Sequence, residues 1–192
     1  MSSDTPARRG RRVSHWEVTL VVAVGLGLMK FGWSDIRAYH RGRGRPDPTF
    51  SLVDSVGGVR VGATEVYRNH DGHSVRLENF SGVENGEHFF RHALGPTSTL
   101  EISTRGTHAE LKVRHENPFE DQGITVVCNG VTLEQLEHLS QGVVTRHYAL
   151  DLRPGVNVVT FTYRRYNHDG TLNLPEGRPF GGTFLALDLF LE

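Results

Sequence analysis

Alternation of apolar and polar residues runs through residues 49–192, and this period of two constrains the fold more than any other feature. In 109–114 and 159–164, apolar side chains occupy every second position. Such alternation places one face of a strand in a core and the other in water. Turn-forming pairs such as Asn129-Gly130 interrupt the pattern at intervals typical of short antiparallel strands. We therefore predict a mainly β body, a two-sheet antiparallel β-sandwich of jelly-roll-like type.

The pattern also predicts individual elements of this body. Earlier strands are expected at 58–67, 74–80 and 98–104, and the last strand places Leu185, Leu187, Leu189 and Leu191 on one face. Residues 132–135 form a capping box that predicts one short helix. The inward-facing residues of this helix would be Leu133, Leu136 and Leu139.

Composition excludes several classes of protein. The chain has 192 residues, with Lys+Arg 21 against Asp+Glu 22, so its charge is too balanced for a histone-like nucleic-acid binder. A single cysteine excludes an intramolecular disulfide and any multi-cysteine metal centre. The basic residues concentrate in the first fifty residues, whereas the remainder is acidic. This separation indicates that the two parts occupy different environments.

The basic front contains an apolar segment bounded by two tryptophans, at 16–33. An α-helix from Trp16 to Trp33 is about 25 Å long, close to the roughly 30 Å of a hydrocarbon core. We predict a transmembrane helix here, with Trp16, Lys30 and Trp33 as anchors at the membrane interfaces. The alternatives are a cleaved secretory signal and a buried core helix.

The predicted helix divides the chain into a basic tail at 1–15, the span at 16–33, a Gly/Pro linker at 34–48 and the sandwich at 49–192. A groove of small residues on the helix suits packing against a second helix. The linker offers arginines to anionic lipid headgroups. The packing residues are Ala23, Gly25 and Gly27, and the headgroup residues are Arg41, Arg43 and Arg45. We predict a single-pass protein of the cell membrane, with the sandwich on the extracytoplasmic (periplasmic) side.

Several short runs in the body, taken in order, resemble those of a known class of module. The runs are Asn79-Phe80, 87–92, 98–102, 126–133, 150–161 and 178–184. Their order is similar to the jelly-roll, galactose-binding-like modules of bacterial envelope and glycosyltransferase-associated proteins. The resemblance implies a non-catalytic extracytoplasmic domain for binding or assembly. One departure counts against sugar binding, since Arg91-His92 stands where such modules often have Arg-Trp.

Candidate metal ligands are concentrated in one turn. His70, Asp71 and His73 supply suitable ligand types, and His168-Asp169 repeats part of the string. Tight turns, however, also require Asn, Asp and Gly, so we predict turns and no bound metal. Loop carboxylates at Glu84, Glu87, Glu120 and Asp121 are the corresponding candidates for calcium.

Motifs for catalysis are absent from the sequence. There is no nucleophile elbow, phosphate-binding glycine loop or zinc-protease helix. Cys128 ends an apolar run with no neighbouring base to activate it, which predicts a buried structural thiol. We therefore predict a protein that is not an enzyme, with no catalytic residues and no cofactor.

Two functions from different classes follow, and a membrane-tethered enzyme of a polysaccharide pathway is a third. The first is a single-span accessory subunit of a larger membrane complex, respiratory or photosynthetic, whose sandwich docks on integral membrane partner subunits. The alternative is a membrane-tethered carbohydrate-binding module of the cell envelope. Sugar binding needs an aromatic platform, and both tryptophans lie in the membrane flanks. Phe119 and Tyr166, near loops, are the predicted stacking residues; nucleic acid is not an expected partner.

Overall fold

The computed structural model describes residues 47–53, 58–61, 64–106, 108–167 and 179–192. The predictions on the tail, the span and most of the linker fall on residues 1–46, which lie outside the described residues. Pro48–Glu192 forms one compact unit. In the described ranges there is no helix, and so none that could cross a membrane.

The described residues form two antiparallel β-sheets, which confirms the predicted β-sandwich architecture. The strands of sheet A are β1 (Phe50–Ser51), β5 (Glu84–Asn85), β6 (Phe89–Ala93), β8 (His108–Asn117), β11 (Gly142–Asp151) and β13 (Gly182–Leu191). Those of sheet B are β2 (Val59–Val61), β3 (Thr64–Arg68), β4 (Ser74–Glu78), β7 (Thr97–Thr104), β9 (Gln122–Cys128), β10 (Val131–Leu139) and β12 (Gly155–Tyr163). Sheet A has the strand order β11-β8-β13-β6-β5, with β1 pairing with β13, and sheet B has the order β10-β9-β12-β7-β4-β3-β2.

The core lies between the sheets and is built from the predicted alternation. Leu111 and Val113 of β8 face Val159 and Phe161 of β12 across a buried layer, and all four are at most 4% exposed. Their alternating neighbours are half-buried or exposed, as the period of two requires. This arrangement removes apolar surface from water on both inner faces, which is the main driving force for the fold.

The predicted helix at 132–139 is wrong, because these residues form strand β10. Leu136 pairs with Ile124 and Leu139 pairs with Gln122, and a register irregularity lies between the two pairs. A second irregularity between Thr132 and Glu134 leaves Leu133 as an extra residue. Bulges of this kind let a spacing of three return to one face of a strand. The leucine spacing therefore imitated a helical period.

The last strand also differs from the prediction at one position. β13 carries a bulge between Phe184 and Ala186, so Phe184 is fully buried and Leu185 is displaced from the inner face. Leu187 and Leu189 are buried as predicted. The predicted strand at 58–67 is in fact the hairpin of β2 and β3.

Candidate functional site

A short hairpin, β5–β6, forms one wall of a surface groove at sheet A. Glu84 pairs with Phe90 and Asn85 with Phe89, so the turn between the strands is tight. The amide of Gly86 donates to the carbonyl of His88 at 3.2 Å across that turn. The hairpin thereby holds the Asn85, Glu87 and His88 side chains at the rim of the groove.

The opposite wall comes from β8 and from the bulge in β13. Ala186 pairs with Arg114, and the displaced Leu185 lies beside them. The groove has a volume of about 370 Å³ and is lined by Asn85, Glu87, His88, Phe89, Arg114 and Leu185. The bulge thus has a local consequence, because it supplies an apolar residue to this surface that a regular strand would direct into the core.

The groove combines an aromatic ring with planar polar groups. Phe89 is 46% exposed, an unusual state for a phenylalanine in a strand. The side chains of Asn85, Glu87 and Arg114 form no hydrogen bond or ion pair with any other described residue. Their amide, carboxylate and guanidinium groups are consequently available to a ligand.

A row of rings packs next to the groove and supports its β6 wall. The His92 ring lies 5.1 Å from Phe90 and 4.8 Å from Phe180, with the centroid of Phe119 6.3 Å from Phe180. His92 Nδ1 also lies 3.2 Å from Thr183 Oγ1. His92, the residue that departs from the resembled modules, is therefore part of the packing on the outer side of β6.

Beneath the same strand, Arg91 is fully buried and joins the two sheets. Its guanidinium contacts both carboxylate oxygens of Glu65 on β3, at 2.7 Å and 3.0 Å, and also the Tyr67 hydroxyl. Arg91 Nε donates to the Leu52 carbonyl at 2.5 Å. Burial raises the pKa of Glu65, but hydrogen bonds from Arg91 and Tyr67 more than offset this effect, so the pKa lies below its ordinary value. The ion pair fixes the position of β6 from the inside.

The predicted stacking residues lie outside this groove. Phe119 packs on Phe180, and Tyr166 precedes Asn167, whose backbone also bonds to Phe180. Both are half-buried near one end of the sandwich. Their role as ligand contacts stays a prediction.

The candidate metal residues occupy the turn between β3 and β4. The Asn69 side-chain oxygen accepts the amides of Asp71 at 3.1 Å and of His73 at 2.9 Å, which is the geometry of an Asn-stabilised turn. Across the described part of the chain, no group of three His, Cys, Asp or Glu side chains is arranged to hold a metal ion. Asp121, a calcium candidate, instead contacts His138 at 2.5 Å and Arg164 at 3.0 Å.

Cys128 is buried, as predicted for a structural thiol. It is 5% exposed, and burial, with a smaller contribution from the Asp151 charge, raises its pKa. A raised pKa keeps the sulfur in the unreactive thiol form.

A second cavity lies at the open side of the sandwich between β10 and β11. It has a volume of about 20 Å³, and Leu136, Val144 and Arg146 line it. His115 and Tyr163 also line this cavity with rings stacked 5.8 Å apart, and neither His115 nitrogen nor the Tyr163 hydroxyl has a hydrogen-bond partner. Burial lowers the pKa of His115 to about 4.

No local pattern in the sequence marks Phe89 as exposed. Alternation in β6 puts Phe89 in phase with the buried Arg91 and Ala93, so a period of two alone would direct it inward. Its 46% exposure goes with its place as the first residue of the strand. Arg114 carried no signal either, since exposed arginines are frequent on strands that face water.

Comparison with known proteins gives matches to solved structures only. No protein-family model matches this chain, and no curated protein sequence matches it. The chain is similar to a family 35 carbohydrate-binding module from Clostridium thermocellum, with 13% identity, a TM-score of 0.38, and coverage of 68% of this chain and 100% of that one. It is similar to CBM35 from Cellvibrio japonicus Abf62, with 16% identity, a TM-score of 0.40, and coverage of 73% and 92%.

Part of a larger enzyme also matches. An exo-β-1,3-galactanase from Phanerochaete chrysosporium aligns at 17% identity with a TM-score of 0.36, covering 76% of this chain and 29% of the enzyme. At these TM-scores the matches assign no ligand and no site to this chain.

Proposed function

We propose that the β-sandwich is a non-catalytic module that binds a saccharide in the groove between the β5–β6 hairpin and the β8/β13 pair. The observation that carries this proposal is the exposed Phe89 ring beside the Arg114 guanidinium and the Glu87 carboxylate. A sugar ring presents C–H groups that pack on an aromatic face and hydroxyls that pair with planar polar groups. The groove offers both kinds of contact within one concave surface.

A second groove formed by the described residues lacks one of these two components. It lies on sheet B, has a volume of about 320 Å³ and contains no aromatic side chain in its lining. Gln135, Glu137 and Arg164 supply polar groups there, but nothing replaces the aromatic platform. The groove on sheet A is accordingly the better candidate for a saccharide.

The test is a glycan array probed with the full chain, followed by calorimetry on any glycan that binds. Phe89→Ala and Arg114→Ala should each weaken binding about tenfold or more, the equivalent of about 1.4 kcal/mol. Val156→Ala, at an exposed valine on sheet B, is the matched control and should bind as the unsubstituted chain does. No binding across the array, or equal binding by Phe89→Ala, would refute the proposal.

We also propose that residues 16–33 tether this module to the cell membrane, with the sandwich on the extracytoplasmic side. This part rests on the sequence alone, through the two tryptophans and the apolar segment between them. Docking on integral membrane subunits of a larger complex stays a prediction, since none of the described residues identifies such a partner.

A further inference from the structure

Strand β11 ends sheet A with a long, regular edge. It runs from Gly142 to Asp151 and pairs with β8 over its whole length without a register shift. The other edge strands in the described residues are short or irregular, whereas β11 is long and regular and carries one protective feature, the inward-pointing Arg146, which pairs with Glu134 of β10 at 3.0 Å. β10 carries two register irregularities, β2 has 3 residues, and β1 and β5 have 2 residues each.

The direction of the backbone groups along this edge follows from the pairing. The His108 carbonyl accepts a hydrogen bond from the amide of Glu192, next to the end of β13. The backbone N–H and C=O groups of alternate β8 residues, counted from His108, therefore point to β13, and those of the residues between them point to β11. Through the register, Val144, Arg146 and Tyr148 are then bonded to β8. The amides and carbonyls that point to the free edge belong to Val143, Thr145, His147, Ala149 and Asp151.

One contact supports this assignment independently. The Thr145 carbonyl accepts a hydrogen bond from Arg146 Nη1 at 3.3 Å, which a carbonyl bonded to β8 would be less free to do. In the described residues, no other strand bonds to this edge. The edge thus presents backbone donors and acceptors at every second residue, a repeat of about 6.8 Å that only another extended polypeptide matches.

The cavity beside the edge adds a place for side chains. Val144 and Arg146 of β11 and Leu136 of β10 line it, with the unpartnered nitrogens of His115 at its wall. A strand added next to β11 would direct alternate side chains toward the inner side of sheet A. Apolar side chains at those positions would therefore cover this cavity.

We propose that the free edge of β11 binds an extended segment of a partner protein, which adds a strand to sheet A. Backbone hydrogen bonds supply affinity in this mode of recognition, and pockets for alternate side chains supply specificity. The complementary segment is antiparallel, has β-branched apolar residues at its inward positions, and places a basic residue opposite Asp151. The Asp151 side chain is 90% exposed, and one of its oxygens contacts His108 Nδ1 at 2.8 Å. Val143 at the other end, 47% exposed, requires an apolar residue opposite it.

A second copy of this chain fits the edge poorly. Antiparallel pairing of two β11 strands about His147 would place Val143 of each copy against Asp151 of the other. An apolar side chain opposite a carboxylate contributes no favourable cross-strand contact. We therefore assign the edge to a partner of different sequence.

The test measures binding of a fluorescent peptide, Lys-Val-Thr-Val-Glu-Val-Thr-Val-Val, to the full chain by anisotropy. In antiparallel register its lysine lies opposite Asp151 and its glutamate opposite His147. N-methylation of both threonines and the glutamate removes the amides that face β11 and should weaken binding about tenfold or more. N-methylation of the first three valines removes amides that face away and should change binding by less than about twofold.

A matched pair of protein variants tests the same edge. The Ala149 amide points away from β8. Ala149→Pro therefore keeps the hydrogen bonds between β8 and β11, removes one backbone donor from the free edge and puts the proline ring in its place. We expect Ala149→Pro to retain the circular dichroism of the unsubstituted chain and to weaken binding about tenfold, and Ala149→Ser to bind normally. Absence of saturable peptide binding, equal losses for the two methylated peptides, or self-association that Ala149→Pro abolishes would overturn the proposal.

Discussion

Arg91 and Glu65 form a buried ion pair between the sheets, with side chains 0% and 14% exposed. The pair is bidentate, and the Ser81 carbonyl accepts a further hydrogen bond from Arg91 at 2.9 Å. Such a pair contributes little more to folding stability than apolar residues of equal size would. Removal of one partner, however, leaves an uncompensated charge in the interior. The stability of the sandwich therefore depends on keeping both residues.

Arg91→Met should destabilise the fold by about 3–5 kcal/mol, measured by urea unfolding at neutral pH. The double variant Arg91→Met/Glu65→Gln should recover part of this loss, because no charge is then left unpaired. Since the folded-state pKa of Glu65 is depressed, its contribution is present above the unfolded-state pKa and is lost as the pH falls through the folded-state value. The difference in the free energy of unfolding between Arg91→Met and the unsubstituted chain should become smaller as the pH falls. A difference that stays constant with pH would contradict this account.

His115 predicts a separate dependence of stability on pH. Its pKa is about 4 in the folded state, against an ordinary 6.5, because burial disfavours the charged ring. Burial of the neutral ring leaves the free energy of unfolding unaffected by this group above about pH 6.5. As the pH falls toward 4 the unfolded chain is protonated first, and the free energy of unfolding declines by up to about 3 kcal/mol in total. His115→Phe should remove this part of the decline in urea titrations at a series of pH values. Identical profiles for the two proteins would show that the ring titrates normally.

The sequence indicated the buried residues better than it indicated the exposed ones that form the groove. Alternation is enough to place Leu111 or Phe161 in the core, because burial of apolar surface dominates the energy at those positions. Arg91 shares the inner face with Ala93. No local pattern indicates that its charge is compensated by Glu65, which lies 26 residues earlier in the chain. Long-range pairing of this kind is fixed by sheet order, which a single sequence does not specify.

At the scale of elements, β10 shows how a local pattern misled the helix prediction. The leucine spacing is typical of a helix, yet β10 pairs with β9 along its length. Its register irregularities allow leucines spaced by three residues to lie on one face of the strand. Tertiary pairing with β9 offers more burial than an isolated helical turn, so it overrides the local preference. The turn before β10, in contrast, was predicted correctly from two residues.

That turn gives a test of backbone conformation without steric conflict. Asn129 and Gly130 have φ values of 49° and 83°, and a Cβ added at Gly130 would meet nothing within 4 Å. Gly130→Val should cost about 1–2 kcal/mol because the left-handed conformation is unfavourable for a β-branched residue. Gly130→Asn, which tolerates this conformation, should cost clearly less in the same thermal unfolding measurement. Equal losses would mean that the turn relaxes to another geometry.

At the scale of the whole molecule, the described residues present two distinct surface features together with one buried ion pair. The groove on sheet A carries an aromatic and charged lining, the edge of β11 carries free backbone groups, and the interior is closed by the Arg91–Glu65 pair. A sandwich allows this separation because loops, faces and edges can vary while the core alternation is kept. The proposed saccharide site uses side chains of the groove and the proposed strand-addition site uses backbone groups of the edge, so variants should separate the two.

The proposed membrane tether is testable with single substitutions in the full chain. We expect the protein to remain in the membrane fraction after alkaline washing. Val22→Arg should shift it toward the supernatant, because an arginine near the centre of a span costs about 2.5–3.5 kcal/mol. Val156→Arg, at a valine 63% exposed on the sandwich, adds the same charge and should leave the distribution unchanged. Mass spectrometry of the purified chain should find residues 16–33 retained. A mature N-terminus beyond Trp33, or equal behaviour of the two arginine variants, would show that this segment does not anchor the protein.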